Sequence, residues 1–229
     1  MNPAATVLLA GASGLVGSSV LDRLLLQAGG PRVLAPVRRP IDARSARLMA
    51  PVSSLSADAD PDLLERLRHE SPAIDAYVCC LGTTIKSSGS REAFLAVDRE
   101  LVLRLAAMAR ELGARQAILV SSVGASAQSG NFYLRVKGET ERALAEMGFD
   151  RVDLLRPGLL LGDRSESRPG EAVARALTPF TNPFLRGPLR RYRGIAAGDV
   201  AAAAVALLGR GEPGRHVHEN QALMALAAG

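Results

Sequence analysis

A phenol and an ammonium stand four residues apart at Tyr133 and Lys137, which makes them neighbours on one face if the chain there is helical. Such a pair suits proton transfer to or from an oxygen. A phenol titrating near pH ~10 is a poor acid–base group at neutral pH. A neighbouring positive charge favours the phenolate, and a shift of ~3 units needs ~4 kcal/mol of differential stabilisation. Lysine is scarce: of 28 basic residues only Lys86 and Lys137 are lysines. A compact ammonium can reach sugar hydroxyls while lying beside the phenol, which a planar guanidinium does less well. Ser122 ends the strand predicted before them, eleven residues ahead of Tyr133.

A second constellation lies near the amino terminus. The apolar run 6–10 leads straight into Gly11-Ala12-Ser13-Gly14-Leu15-Val16-Gly17 and then into a helical pattern. Glycines at steps of three have separate tasks in such a turn: the first makes it tight, the second admits a diphosphate to the backbone, and the third lets the helix pack on the strand. The free N–H groups and positive dipole end of the helix then hold phosphate oxygens. Strand before and helix after are the context the motif requires. About twenty residues on, an NAD site would carry an acid for the ribose hydroxyls, but Val37-Arg38-Arg39 stands there. A guanidinium fork suits a 2′-phosphate. NADP(H) is therefore expected in preference to NAD(H), with Arg38 the first candidate and Arg39 the second; the plain alternative is a solvated charged turn.

Both constellations need elements that hold them. Short, near-continuously apolar runs at 5–10, 32–37, 74–81, 116–121 and 151–156 read as strands covered on both faces. Helical spacing fills 15–28, 91–112 and 132–147; in the second, Phe94, Val97, Leu101, Leu105 and Met108 form one apolar stripe. Gly113 and Gly148 follow two of these helices as left-handed caps. Strands alternating with helices predict a doubly wound parallel α/β sheet with helices on both faces. After Pro157 the pattern loosens: 165–194 reads as an irregular, arginine-bearing excursion, followed by an alanine-rich helix over 199–208 and a last strand over 215–219. The expectation is a single domain over 1–229, with 158–229 forming a small substrate-side lobe. Its arginines with Phe180, Phe184 and Leu185 would suit a hydrophobic molecule with an acidic end.

Composition narrows the function further. A chain 48% hydrophobic and 22% charged is typical of a folded soluble protein. Its longest apolar stretch, 200–208, is far short of the ~20 residues of a membrane helix, and no basic segment precedes the first apolar run as in a secretory signal. Cys79 and Cys80 are sequence neighbours, poorly placed for a disulfide and most simply small buried residues; a reducing, cytoplasmic setting is expected. The net charge is +5, and basic residues cluster at Arg38, Arg39, Arg44 and Arg47 and again at Arg186, Arg190, Arg191 and Arg193. With 3% aromatics and no tryptophan, stacking platforms for nucleic acid are scarce, and the charge suits a phosphate-bearing cofactor or an acidic small molecule equally. His216 and His218 share a strand face but have no third ligand at metal spacing, so no metal is expected and they read as surface histidines.

These residues carry a resemblance. The glycine turn, Ser122 and Tyr133-x-x-x-Lys137 resemble the atypical and extended short-chain dehydrogenases/reductases. Five further stretches resemble the Tat-interactive-protein-like oxidoreductases: Cys79-Cys80-Leu81-Gly82-Thr83-Thr84, Val97-Asp98-Arg99, 131–138, Arg156-Pro157-Gly158 through 163–171, and Glu219-Asn220-Gln221-Ala222. The resemblance implies a Rossmann sheet and an NADP(H)-dependent enzyme acting on a small-molecule carbonyl or alcohol. It implies that Leu81, Gly82 and Thr83 line the cofactor and that Pro157 and Gly158 lie near the nicotinamide. Ser122 would orient the substrate carbonyl, Tyr133 would donate the proton, and Lys137 would hold the ribose and tune Tyr133. Two positions depart from the pattern: Asp98 replaces a helix asparagine, and Ser53 or Ser54 replaces the acid usual after the third strand. A homodimer through the helices is compatible with the fold. The competing reading is an NADPH-sensing regulator with little turnover.

Overall fold

The first strand, β1 (Thr6–Ala10), is buried along its whole length and alternates its contacts: Val7 and Leu9 face one apolar layer, Leu8 and Ala10 the other. This is what a strand between two helical layers must do, and it explains the unbroken apolar run. The computed structural model describes residues 5–43, 45–55, 60–162 and 187–229. Arg44, Arg186, the 163–171 stretch and the apolar residues Phe180, Phe184 and Leu185 lie outside them.

The chain continues as α1 (Leu15–Leu26), β2 (Arg32–Leu34), β3 (Leu48–Met49), α2 (Leu63–Glu70) and β4 (Ala76–Cys79). Next come α3 (Ile85–Ser88), α4 (Arg91–Leu95), a π-helical turn (Ala96–Leu101), α5 (Val102–Glu111), β5 (Gln116–Val120), α6 (Phe132–Ala145) and β6 (Arg151–Arg156). The remainder is β7 (Leu160–Leu161), a 3-10 helix (Gly187–Tyr192), β8 (Ile195–Ala196), α7 (Ala197–Leu207), β9 (Gly214–Glu219) and α8 (Asn220–Ala228). Seven strands form one sheet in the order β3-β2-β1-β4-β5-β6-β9, and every pairing in it is parallel. The order reverses between β1 and β4, which opens a crevice at their carboxyl ends. One layer packs α1 and α7, with Leu223 of α8, on the sheet; the other packs α2 and α5, with Leu144 of α6.

Several elements differ from their sequence expectation. The strand expected over 32–37 pairs regularly only to Leu34, and Val37 rejoins the sheet through an isolated bridge to Val52. The short β3, α2, α3 and α8 carry too few periodic residues to stand out in the sequence. The helix expected over 91–112 is interrupted by the π turn. Within that turn Asp98 is fully buried, while Val97, expected in the apolar stripe, is only half-buried. Gly113 and Gly148 do take left-handed backbones, with φ of +100° and +78°. Arg47, counted above in a basic cluster, instead caps α1: its guanidinium donates to the carbonyls of Leu24 (3.0 Å), Leu25 and Gln27 (3.1 Å), acceptors left open at a helix end.

Candidate functional site

The turn between β1 and α1 shows why it needs its glycines. Gly11 has φ +82°, and a Cβ there would come within 2.8 Å of the Cys80 and Leu81 backbone. A Cβ at Gly17 would stand 2.0 Å from the Gly11 carbonyl oxygen, so only glycine lets α1 start this close to β1. Ala12, Val16 and Gly17 are buried, Leu15 is half-buried, and Ser13 and Gly14 are exposed. Gly14 precedes α1 without a side-chain cap, and the first helical turn holds no acid. The first helical N–H groups and the positive dipole end are therefore left to an anion, and the residues present fit the diphosphate of a dinucleotide. Arg38 and Arg39 are both exposed beyond the carboxyl end of β2, the strand beside β1.

On the other side of the crevice, the Leu81–Gly82–Thr83 segment leaves β4 directly opposite Gly11. Lys137 reaches this segment from α6: a Cβ at Gly82 would lie 3.6 Å from its Nζ. The ammonium is 2.7 Å from Asp98 Oδ1, with both side chains almost wholly buried. Burial pulls the Lys137 pKa down, but the charges of Asp98 and Tyr133 and the hydrogen bond to Asp98 outweigh it and hold the ammonium above the ordinary lysine range. Tyr133, one turn earlier, is half-buried, with its ring 5.6 Å from that of Phe94. Asn131 caps α6 by accepting from Leu134 N–H, which sets where the helix starts and so where Tyr133 and Lys137 project.

Ser122 leaves β5 half-buried, and the chain after it folds back onto α6: Ser126 N–H donates to the Leu134 carbonyl, and a Cβ at Gly138 would overlap the Ser126–Ala127 backbone. Val123 N–H donates to Pro157 O at 3.0 Å, joining the exits of β5 and β6. Gly158 is fixed in turn. Its N–H donates to Asn220 Oδ1 at 2.7 Å, while Asn220 Nδ2 donates to the Arg193 carbonyl. The structure thus gathers the glycine turn, 81–83 and Lys137 at one crevice and ties Val123, the residue after Ser122, to Pro157. Two residues had roles the sequence reading missed. The sequence marks Asp98 as a departure from a helix asparagine but not as the lysine's partner, for which a charge inside an apolar stripe is the available signal. Asn220 as a clamp carried no signal beyond its type.

The weaker candidates resolve differently. Cys79 and Cys80 are free thiols, and burial pushes both pKa values up, so neither favours thiolate. His216 and His218 are half-buried rather than surface residues, and His218 Nε2 lies 2.9 Å from Asp153. Among the described residues no group of three or more His, Cys, Asp or Glu could hold a metal, and no helix is long and apolar enough to cross a membrane.

A family model described as NAD dependent epimerase/dehydratase family matches residues 7–143. Among curated proteins, "Protein fmp52, mitochondrial" of Emericella nidulans is 36% identical over 171 residues, covering 75% of this chain and 73% of that protein. "Protein HTATIP2" of Rattus norvegicus is 39% identical over 173 residues, covering 74% and 69%. A solved structure, MoeE5 in complex with UDP-glucose and NAD, superposes with a TM-score of 0.67 at 17% identity over 98% of this chain and 81% of that one; identity that low speaks for the fold alone. The fmp52 relatives are named mitochondrial, which overturns the expected cytoplasmic setting. Two free thiols do not single out one reducing compartment.

Proposed function

Because this chain belongs to the NAD-dependent epimerase/dehydratase family, in the atypical short-chain dehydrogenase/reductase group of the fmp52 and HTATIP2 proteins, we propose that it is an NADP(H)-dependent oxidoreductase. It reduces a small-molecule carbonyl, or oxidises the matching alcohol, through Ser122, Tyr133 and Lys137. When bound, the nicotinamide exchanges the hydride. The chain's own residues do the rest. Gly11 to Gly17 hold the diphosphate on backbone N–H groups, with Arg38, seconded by Arg39, on the 2′-phosphate. Leu81, Gly82 and Thr83 line the cofactor, and Pro157 and Gly158 border the nicotinamide. Ser122 orients the carbonyl oxygen, and Tyr133 gives it a proton. Lys137 holds the ribose hydroxyls and steadies the phenolate left behind. Within the single domain, 158–229 furnishes the substrate side.

The observation that carries this reading is the buried Lys137 ammonium, set against the 82–83 backbone and one helical turn from Tyr133. An ammonium is costly to bury, and this one lies at the crevice where the sheet order reverses, the place where such folds bind ligands. The test is NADPH oxidation across a panel of aldehydes, ketones and quinones. Tyr133→Phe should lower turnover by about 10²–10⁴-fold, the contribution of a positioned acid. Unchanged turnover in that variant removes the mechanism. NADPH that binds but is oxidised with no member of the panel favours the sensing protein instead.

A further inference from the structure

Asp98 joins three parts of the site. It sits on the π turn with no solvent exposure. Its Oδ1 has the Lys137 ammonium at 2.7 Å and no other donor among the described residues. Its Oδ2 accepts Thr83 N–H at 2.9 Å, and its backbone carbonyl accepts Thr140 Oγ1 at 3.2 Å. One carboxylate therefore links the cofactor wall leaving β4, the π turn and α6. A π turn inserted in a helix often marks a functional position, and here that turn carries the fully buried Asp98. Since an ammonium has three protons to donate, pairing with Asp98 leaves Lys137 two for other acceptors.

We propose that Asp98 is a positioning residue that pins Lys137 to the 81–83 segment and, by its negative charge, offsets part of the ammonium's pull on Tyr133, so that the phenol still carries the proton it gives to a carbonyl. The proposal rests on the reading of Tyr133 and Lys137 as the acid–base pair. An uncompensated ammonium one turn away would favour phenolate, the form that takes a proton from an alcohol. A charge-neutral Lys–Asp pair leaves the phenol as the form that gives a proton to a carbonyl, so the site is set for reduction. The other groups facing the pair do not supply this charge. Cys79 and Tyr77 of β4 are both held neutral, mainly by burial. From α4, Phe94 faces Tyr133. Arg91 and Arg135 lie over the Phe132 ring, at 5.0 and 5.7 Å from its centre. Arg99 and Glu100 of the π turn are exposed.

The chain has three tyrosines and no tryptophan, so tyrosinate absorbance can be titrated directly, and the component lost in Tyr133→Phe identifies that residue's transition. Asp98→Asn keeps the shape and an acceptor for Thr83 N–H but removes the charge. The Tyr133 transition should move to lower pH by about 1–2 units; a transition that stays put or moves up overturns the proposal. Should Asp98→Asn not fold, the wild type still decides. With only two lysines, 13Cε NMR should resolve a Lys137 signal titrating above the ordinary lysine range, and a signal at or below that range removes the ion pair. Neither readout uses turnover. An unshifted Tyr133 transition defeats the role of Asp98 alone, whereas unchanged turnover in Tyr133→Phe defeats the catalytic reading alone.

Discussion

Arg38 is the residue on which the proposed preference for NADP(H) turns. It is exposed beyond β2, so its loss leaves no cavity and strands no partner among the described residues, and a variant reports on ligand contact rather than on folding. A guanidinium on a 2′-phosphate makes charge-assisted hydrogen bonds worth about 1.5–3 kcal/mol. Arg38→Ala should raise the NADPH dissociation constant by about 10–100-fold and leave that for NADH unchanged, as measured by titration calorimetry with each nucleotide. Equal effects on both would assign Arg38 to the solvated turn. The Tyr133–Lys137 pair was legible in the sequence because four-residue spacing on a helix makes neighbours whatever the rest of the chain does. The Asp98 partner was not. Its position 39 residues before Lys137 says nothing about contact, and only the packing of the π turn against α6 brings the two charges together.

Among the elements, β1 and α1 have the tightest geometry. At Gly17 a methyl group would meet the Gly11 carbonyl at 2.0 Å, and that neighbour is backbone, held by a hydrogen bond from Gly14 N–H at 2.9 Å. Gly17→Ala must therefore push α1 off β1 or bend the turn. Overpacking of this kind costs about 1–3 kcal/mol. We expect a lower Tm and NADPH binding weakened more than tenfold, because the displaced N–H groups are those that would hold the diphosphate. A variant with native Tm and native affinity would show that the turn has slack. The long strands and helices were readable because periodicity accumulates over many residues. The two-residue β3, β7 and β8 exist only because a neighbouring strand supplies their hydrogen bonds.

At the scale of the whole molecule, a buried polar network fastens the C-terminal part to the sheet. Asp153 of β6 accepts from Arg151 at 2.7 and 2.8 Å and from Gln116 at 3.0 Å, and it lies 2.9 Å from His218 of β9. Gln116 also donates to the Leu207 carbonyl that ends α7, and Gly209 N–H donates back to Gln116 Oε1. Burial opposes the Asp153 charge, but hydrogen bonds from His218, Arg151 and Gln116 prevail and hold its pKa down to about 2, against 3.8 ordinarily. A carboxyl depressed on folding stabilises fully above its unfolded value, so this contribution of about 2 kcal/mol is complete above roughly pH 4 and fades as pH falls towards 2. Asp153→Asn leaves the Arg151 guanidinium buried without a counter-charge and should cost about 3–5 kcal/mol at neutral pH, read as a shifted denaturation midpoint. The gap between wild type and variant should narrow below pH 4; a gap independent of pH would assign the loss to shape instead of charge.

From the sequence alone came the parallel α/β architecture, the glycine turn and the phenol–ammonium pair, because each is written in residues close along the chain, where spacing dictates geometry. Tertiary structure alone decided that Asp98 would meet Lys137, that Asn220 would clamp Gly158, that Arg47 would cap a helix, and that Asp153 would draw four elements together. Those contacts join positions tens of residues apart, and a polar side chain buried by folding must find its partner among whatever the packed layers bring within reach.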